Sequence, residues 1–509
     1  MSEAKSQILV IFGASGDLTK RKLIPALYQL HKSSRLPKRF AILGTGRTSY
    51  NDQEYQQYIR EQIVRFVNPP EEENLMLEKF IQLVHYQQME PSQAQEYSKL
   101  KTRLKELDQI IENPESYLFY LATPPSLYGV VPLHLKEHGL NLDSGTEGVK
   151  RIIVEKPFGY NLDSALELNT ILRSVFNENQ IYRIDHFLGK ETVLNIMALR
   201  FSNGIFEPLW NRNYIEYIEV TAVENLGMES RGGFYDGVGA MRDMVQNHLS
   251  QLVAVTTMEP PSVFNADNFR NEVLKVYQSL KPMIQQEIKD NVVRGQYIES
   301  QIGGKHVVGY RNEKSINSES RTETYLAMKL FIDNWRWEGV PIYMRTGKQM
   351  PTKVSEIVVH FKPTPHLLFK NDTNHRVRNK LIIRLQPNEG VVLRISMKVP
   401  GGGYEVKDVS LDFTYDKLGG VPLGDAYARL LDDCMMGDAT LFTRSDAVEE
   451  SWRFFDPILK EWQENQEIPL CGYPAGSWGP KEAESLMAQG HSWTNPCKNL
   501  TNTDLYCEL

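Results

Sequence analysis

The chain has 509 residues, 41% hydrophobic and 24% charged, with a formal net charge of -7. That length calls for about two to four domains, and the balance excludes a disordered chain and gives no basic surface for nucleic acid. No apolar run reaches the roughly 18 to 20 residues that span a bilayer and no signal-peptide core precedes the first strand, so a cytoplasmic protein with no membrane partner is expected.

Ile8 to Phe12 is a wholly apolar run that stops at Gly13, the pattern of a buried parallel strand. Leu18 to His31 has helical spacing, with Leu23, Leu27 and Leu30 on one face. The turn between them, Gly13-Ala14-Ser15-Gly16-Asp17-Leu18, can bring a pyrophosphate to the amides of a helix N-terminus. Its fit to G-x-G-x-x-G is incomplete, because Ser15 and Leu18 stand where the second and third glycines belong. A glycine-bearing turn between packed elements is the competing reading. Phe40 to Gly44 makes a second strand, ending in Gly46-Arg47-Thr48. A guanidinium there suits an adenosine 2′-phosphate, whereas an acidic residue would take the free 2′-hydroxyl, so Arg47 favours NADP.

Ser116 to Ala122 runs into Thr123-Pro124-Pro125, and Arg151 to Glu155 runs into Lys156-Pro157-Phe158-Gly159. Strands alternating with helices imply a doubly wound parallel sheet. Taken locally, Lys156 is as readily an exposed lysine after a strand. Arg183-Ile184-Asp185-His186-Phe187-Leu188-Gly189-Lys190 then gathers two cations, an imidazole and a carboxylate ahead of a helical segment, Glu191 to Arg200. Their spacing of four puts His186 and Lys190 on one face of that helix near its positive end, where an anion is favoured. Asp185 either caps the helix or orients a catalytic base.

Farther along come Glu224-Asn225, Arg231 to Asp236, and Ala240 to His248. Met241, Met244, Leu252 and Val255 form an apolar stripe that includes His248, which is therefore either a hydrogen-bonded core histidine or a base. Asp243 and His248 are five apart, about 140° around a regular α-helix. Arg345-Thr346-Gly347-Lys348 and Lys353 read as a solvated basic turn or as an anion grip ahead of a strand, Glu356 to Phe361. Leu381 to Leu385, Val391 to Val399 and Val409 to Tyr415 fit an antiparallel sheet, and Arg429 to Leu459 returns to helical spacing. The expected architecture is an α/β Rossmann-like dinucleotide-binding domain over 1–185 and a larger α+β domain with a mainly antiparallel sheet over 186–509. The four cysteines make neither a disulfide framework nor a zinc site. Cys471, Cys497 and Cys507 fall near the end of the chain, where they form a regulatory disulfide or remain inert thiols.

The octapeptide 183–190 resembles the R-I-D-H-Y-L-G-K signature of the glucose-6-phosphate dehydrogenase family, with Phe187 its one departure. Further family segments recur in order, from Gly13 to Leu18 at the start to Tyr473 to Pro480 near the end, so the resemblance covers almost the whole chain. It implies oxidation of β-D-glucose 6-phosphate at C1 to 6-phosphoglucono-1,5-lactone, with NADP as hydride acceptor and no metal. His248 would be the base and Asp185 its carboxylate partner. His186, Lys190, Lys348 and Lys353 would grip the phosphate, Glu224 and Asp243 would read ring hydroxyls, and Lys22 and Lys156 would set sugar against nicotinamide. Gly13, Ser15, Gly16, Asp17, Leu18, Arg47, Thr123 and Lys156 would contact the cofactor. The resemblance also implies a cis Lys156-Pro157 bond and a homodimer or homotetramer. Phe187 lacks the hydroxyl that a tyrosine could offer the phosphate, so weaker phosphate binding is expected, and Thr19, where the family commonly has Ala, could add a hydroxyl near the pyrophosphate. Two other readings remain: a Glu-Lys-Pro oxidoreductase on an unphosphorylated sugar, and a non-enzymatic NADP sensor.

Overall fold

The apolar runs become strands close to their expected limits in the computed structural model, which describes residues 6–113, 115–143, 148–229, 231–366, 368–369, 378–415 and 425–496. The chain divides into two units: 1–190 with 262–270 and 424–449, and 191–261 with 271–423 and 450–509.

In the first unit β1 (Gln7–Phe12), β2 (Phe40–Gly46), β3 (Val84–Gln88), β4 (Tyr117–Leu121), β5 (Lys150–Val154) and β6 (Ile181–Ile184) form one parallel sheet in the order β6-β5-β4-β1-β2-β3. A two-residue strand, Phe442–Thr443, pairs antiparallel with β6 at the edge. This is the doubly wound order, whose crevice opens between β1 and β4, where the strand order reverses. β1 and β4 are buried throughout, as strands covered on both faces must be. Ile8, Val10 and Phe12 pack with Phe119, Leu104 and Leu172 in a common core. Two flanking helices start on asparagine capping boxes, at Asn51 for Asp52–Phe66 and at Asn161 for Leu162–Val175, each cap contributing about 1 kcal/mol. Leu23, Leu27 and Leu30 are buried as expected, but their helix is not α throughout. Thr19–Leu23 is a π-helix that runs into the α-helix Ile24–Lys32.

In the second unit β7 (Ile215–Val223), β8 (Val292–Ile298), a small hairpin of β9 (Ser300–Ile302) and β10 (Lys305–Val307), β11 (Tyr325–Leu330), β12 (Ile342–Gly347), β13 (Val354–Phe361), β14 (Lys380–Gln386), β15 (Gly390–Lys398) and β16 (Val406–Thr414) follow in chain order. The hairpin stands apart. The other strands form a nine-stranded sheet, β16-β15-β14-β13-β7-β12-β11-β8, completed by Cys471–Pro474. Its pairs are antiparallel except β7 with β12 and β8 with Cys471–Pro474. Arg345, Thr346 and Gly347 are buried residues of β12, so the solvated-turn reading of that stretch gives way. The Arg345 guanidinium lies 4.6 Å and 4.7 Å from the ring centres of Trp478 and Trp493, which compensates a cation taken out of water. The helix that carries His248 is also not α: Met241–Leu249 is a π-helix, packed on β7 and β12. Among the described residues no helix is long and apolar enough to cross a membrane.

Candidate functional site

In the first unit, the residues singled out for the cofactor lie at or just beyond the carboxyl ends of parallel strands: Gly13 after β1, Arg47 after β2, Thr123 near the end of β4 and Lys156 near the end of β5. Gly13, Ser15, Gly16, Arg47 and Thr123 line one cleft of about 430 Å³, with Gly46, Thr48, Glu90 and Leu127 among its other walls. The cleft opens at the β1/β4 crossover, where a dinucleotide is held in this topology. Gly13 is there because nothing else fits: its φ is +91° and a Cβ would lie 2.3 Å from the Ala122 carbonyl.

The loop differs in detail from the expectation. The Gly13 and Ala14 amides both donate to the Thr45 carbonyl at 3.0 Å, and Gly16 donates back to Gly13 at 2.9 Å. The Thr19 hydroxyl, expected near the pyrophosphate, is buried and donates to the Gly13 carbonyl at 3.0 Å, so it braces the loop from behind. Asp17 is exposed and bridges Lys20 and Arg21; desolvation is the largest single influence and raises its carboxyl, but the hydrogen bonds and charges of the two cations together hold it below the usual range. Leu18 is half-buried and precedes the π-helix. The Thr123 hydroxyl oxygen is buried with no hydrogen-bond partner among the described residues. An orphaned hydroxyl on the wall of a glycine-floored cleft fits a dinucleotide, which supplies acceptors to such a donor. Arg47 is 81% exposed at the rim, its Nε 3.9 Å from Glu90, and the Ser15 and Thr48 hydroxyls are 3.2 Å apart beside it.

Lys156 and Pro157 are joined by a cis bond, as the resemblance implied. Before them Glu155 is buried and accepts the Tyr120 hydroxyl at 2.5 Å. Burial pushes its carboxyl up to about 7, against the opposing pull of Tyr120, Lys156 and Tyr427. Lys22, on the π-helix, pairs with Asp425 at 3.8 Å.

The 185–190 segment is a run of turns, and the α-helix begins only at Glu191. His186 and Lys190 therefore do not share a helix face. Leu188 donates to Asp185 and Lys190 to Phe187, each at 3.1 Å, and Asp185 Oδ1 accepts the Phe187 amide at 2.9 Å. Asp185 thus closes a tight Asx turn in place of a helix cap. What gathers the side chains is Phe187: its buried ring meets the His186 ring edge-on at 5.1 Å and takes the Lys190 ammonium 4.6 Å from its centre. Arg183 is wholly buried and paired with Glu178 at 2.6 Å, which makes it structural.

In the second unit Glu224 follows β7, Lys348 follows β12 and Lys353 precedes β13. Val223 pairs with both Gly347 and Val354, so three adjacent strands present Glu224, Lys348 and Lys353 at one end of the sheet. Lys348 is ion-paired to Glu224 and lies 5.1 Å from the centre of the Tyr235 ring. Lys353 is exposed. Tyr235, to which no local signal points, is buried; burial first, then the field of Asp243, keeps its hydroxyl protonated. His248 is 1% exposed and Asp243 half-buried. In a π-helix the repeat closes at i→i+5, so residues five apart come to nearly the same face, and the 140° separation of the α-helical reading disappears. The Asn247 side chain locks this turn, donating to the Arg242 carbonyl at 2.9 Å and accepting the His248 amide at 2.6 Å. Cys471 is half-buried, and burial followed by the nearby Glu482 raises its thiol, which opposes thiolate chemistry; Cys497 and Cys507 lie outside the described residues.

Residues 10–195 match the family model of the glucose-6-phosphate dehydrogenase NAD binding domain, and 197–494 that of its C-terminal domain. Glucose-6-phosphate 1-dehydrogenase of Aggregatibacter actinomycetemcomitans is 50% identical over 97% of this chain and 98% of its own. That of Treponema pallidum is 46% identical over 99% and 98%. A glucose-6-phosphate dehydrogenase solved with its substrate glucose-6-phosphate superposes with a TM-score of 0.88 at 33% identity, covering 97% of this chain and 100% of that one. With both domain models matched in order, a cleft at the β1/β4 crossover that suits a nicotinamide dinucleotide, and relatives aligned over nearly their whole length, the chain belongs to the glucose-6-phosphate dehydrogenase family.

Proposed function

We propose that the protein oxidises D-glucose 6-phosphate at C1 to 6-phosphoglucono-1,5-lactone, the first step of the oxidative pentose phosphate pathway, with NADP as the electron acceptor. The observation that carries this reading is the gathering of Glu224, Lys348 and Lys353 at one end of the nine-stranded sheet, against the π-helix bearing Asp243 and His248. A cationic pair beside a carboxylate and an imidazole suits a phosphorylated polyol better than a neutral sugar.

In the proposed mechanism His248 takes the proton from the C1 hydroxyl, a task matched to an imidazole whose ordinary pKa is near 6.5. Asp185 is its carboxylate partner in turnover, fixing the tautomer and stabilising the imidazolium. Lys348 and Lys353 take the 6-phosphate with His186 and Lys190, while Glu224 and Asp243 receive ring hydroxyls. Lys156 and Lys22 orient the sugar for transfer. Gly13, Ser15, Gly16, Asp17 and Leu18 would shape the pyrophosphate seat of NADP, Thr123 would offer its hydroxyl and Arg47 would take the 2′-phosphate; the bound cofactor would supply the acceptor for the C1 hydride. The test is the initial rate of absorbance at 340 nm with glucose 6-phosphate against glucose, using NADP and then NAD. Phosphate-dependent, NADP-preferring turnover is expected. Equal rates on glucose would favour an unphosphorylated-sugar oxidoreductase, and no turnover with retained NADP binding would favour a sensor.

Self-association belongs to the same reading, as a homodimer or homotetramer. β16 exposes a row of apolar side chains on one face, with Val409, Leu411 and Phe413 exposed by 37%, 56% and 36%. A patch of this kind on a soluble chain marks an interface. Leu411→Glu should sediment as a monomer, and an unchanged oligomer would reject this face.

A further inference from the structure

The π-helix Met241–Leu249 has no local cap. Ala240, at its N-cap, is itself helical and makes no side-chain capping bond. Its first amide goes instead to a residue 82 positions away: Met241 N donates to Glu323 Oε1 at 2.9 Å. The Glu323 backbone carbonyl also accepts Ala240 N at 3.0 Å and the Tyr235 hydroxyl at 3.2 Å. Glu323 is 6% exposed, two residues ahead of β11. Gly239 completes the fit, since its φ is +75° and a Cβ there would stand 2.4 Å from Glu323 Oε1.

A buried carboxylate is costly unless something answers its charge, and the positive end of a helix does so. Burial raises the Glu323 carboxyl, opposed by the Met241 amide and by Arg242 and Arg294. The next residue ties in a second site element: the Thr324 carbonyl accepts the Lys348 amide at 3.0 Å, and the Tyr473 hydroxyl holds the Lys348 carbonyl at 2.7 Å. One dipeptide therefore grips both the entry to the His248 helix and the start of the Lys348 turn.

We infer that Glu323 is a positioning residue for the reaction: its carboxylate clamps the first turn of the π-helix and so sets the register at which Asp243 and His248 meet the substrate. This rests on the reading of His248 as the base. A π-helix of this length is rare and less favourable than the α-helical register, in which Asp243 and His248 would swing apart, so its start has to be pinned from outside.

The experiment compares wild type, Glu323→Ala and Glu323→Gln by kcat and KM for glucose 6-phosphate, with amide hydrogen exchange over residues 241–249. Glu323→Ala should lose about 10- to 100-fold in kcat, the scale of a small misplacement of a reacting group, with KM within about threefold. Glu323→Gln, which keeps an acceptor for the Met241 amide, should recover to within about threefold of wild type. Exchange should quicken over 241–249 in Glu323→Ala while β13 and β14 stay protected. An unchanged kcat in Glu323→Ala, a glutamine no better than alanine, or exchange that rises everywhere would overturn the inference. If wild type itself fails to oxidise glucose 6-phosphate, the functional reading fails, and the exchange pattern still decides whether Glu323 holds the helix.

Discussion

The candidate cofactor residues of the first unit sit at the ends of parallel strands, while the candidate base of the second unit rides on a π-helix capped by a residue far away in sequence. The first arrangement is topological: once β1 and β4 lie side by side, the turns after them must face the crossover crevice. The second is set by particular long-range bonds, from Glu323 to Met241 and from Lys348 to Glu224. The first unit should therefore tolerate changes in its ligand-facing side chains with selective losses in cofactor binding. The second should show losses in turnover from substitutions that never touch substrate.

Arg47→Ala gives the larger of two expected effects that sharpen this contrast. Losing a charge-assisted contact of about 1.5 to 3 kcal/mol should raise KM for NADP by roughly 10- to 100-fold and leave KM for NAD nearly unchanged. Steady-state kinetics with both cofactors checks it; equal losses with the two would detach Arg47 from the 2′-phosphate. Phe187→Tyr is the smaller. Phe187 is 5% exposed between His186 and Lys190, the two proposed phosphate ligands, so an added hydroxyl would sit beside them as one further donor. A KM for glucose 6-phosphate lowered by about two- to fivefold is expected at unchanged kcat. A KM that does not fall would mean that the ring serves only to hold its two neighbours.

The same contrast explains what the sequence disclosed. β1, β2, β4 and β5 announce themselves as largely apolar runs, and Gly13 and Arg47 could be placed by counting from them, whereas β3, with His85, Gln87 and Gln88, and β6, with Arg183, offer no such run. Both π-helices were invisible, because the apolar spacing of Leu23, Leu27 and Leu30, or of Met241, Leu252 and Val255, also fits an α-helix. β12 is concealed by its own content: Arg345-Thr346-Gly347 has the composition of a basic turn, and the Trp478 and Trp493 rings, with hydrogen bonds to the Thr221 hydroxyl and the Thr494 carbonyl, make the arginine a buried strand residue. The turn at 185–190 carries no local mark that separates it from a helix start, because an aspartate suits a helix cap as well as the Asx turn in which Asp185 accepts the Phe187 amide. Glu323 and Tyr235 carry no local signal at all; each matters through a partner brought near by folding.

The central claim, that binding is divided among many residues while proton removal rests on one imidazole, is met most directly by His248→Asn. Its turnover of glucose 6-phosphate with NADP should be measured alongside calorimetric titration of each ligand. Loss of a general base should lower kcat by about 10² to 10⁴ while both dissociation constants stay within roughly threefold of wild type. A variant that still turns over near the wild-type rate, or one whose rate falls only because glucose 6-phosphate no longer binds, would contradict the account.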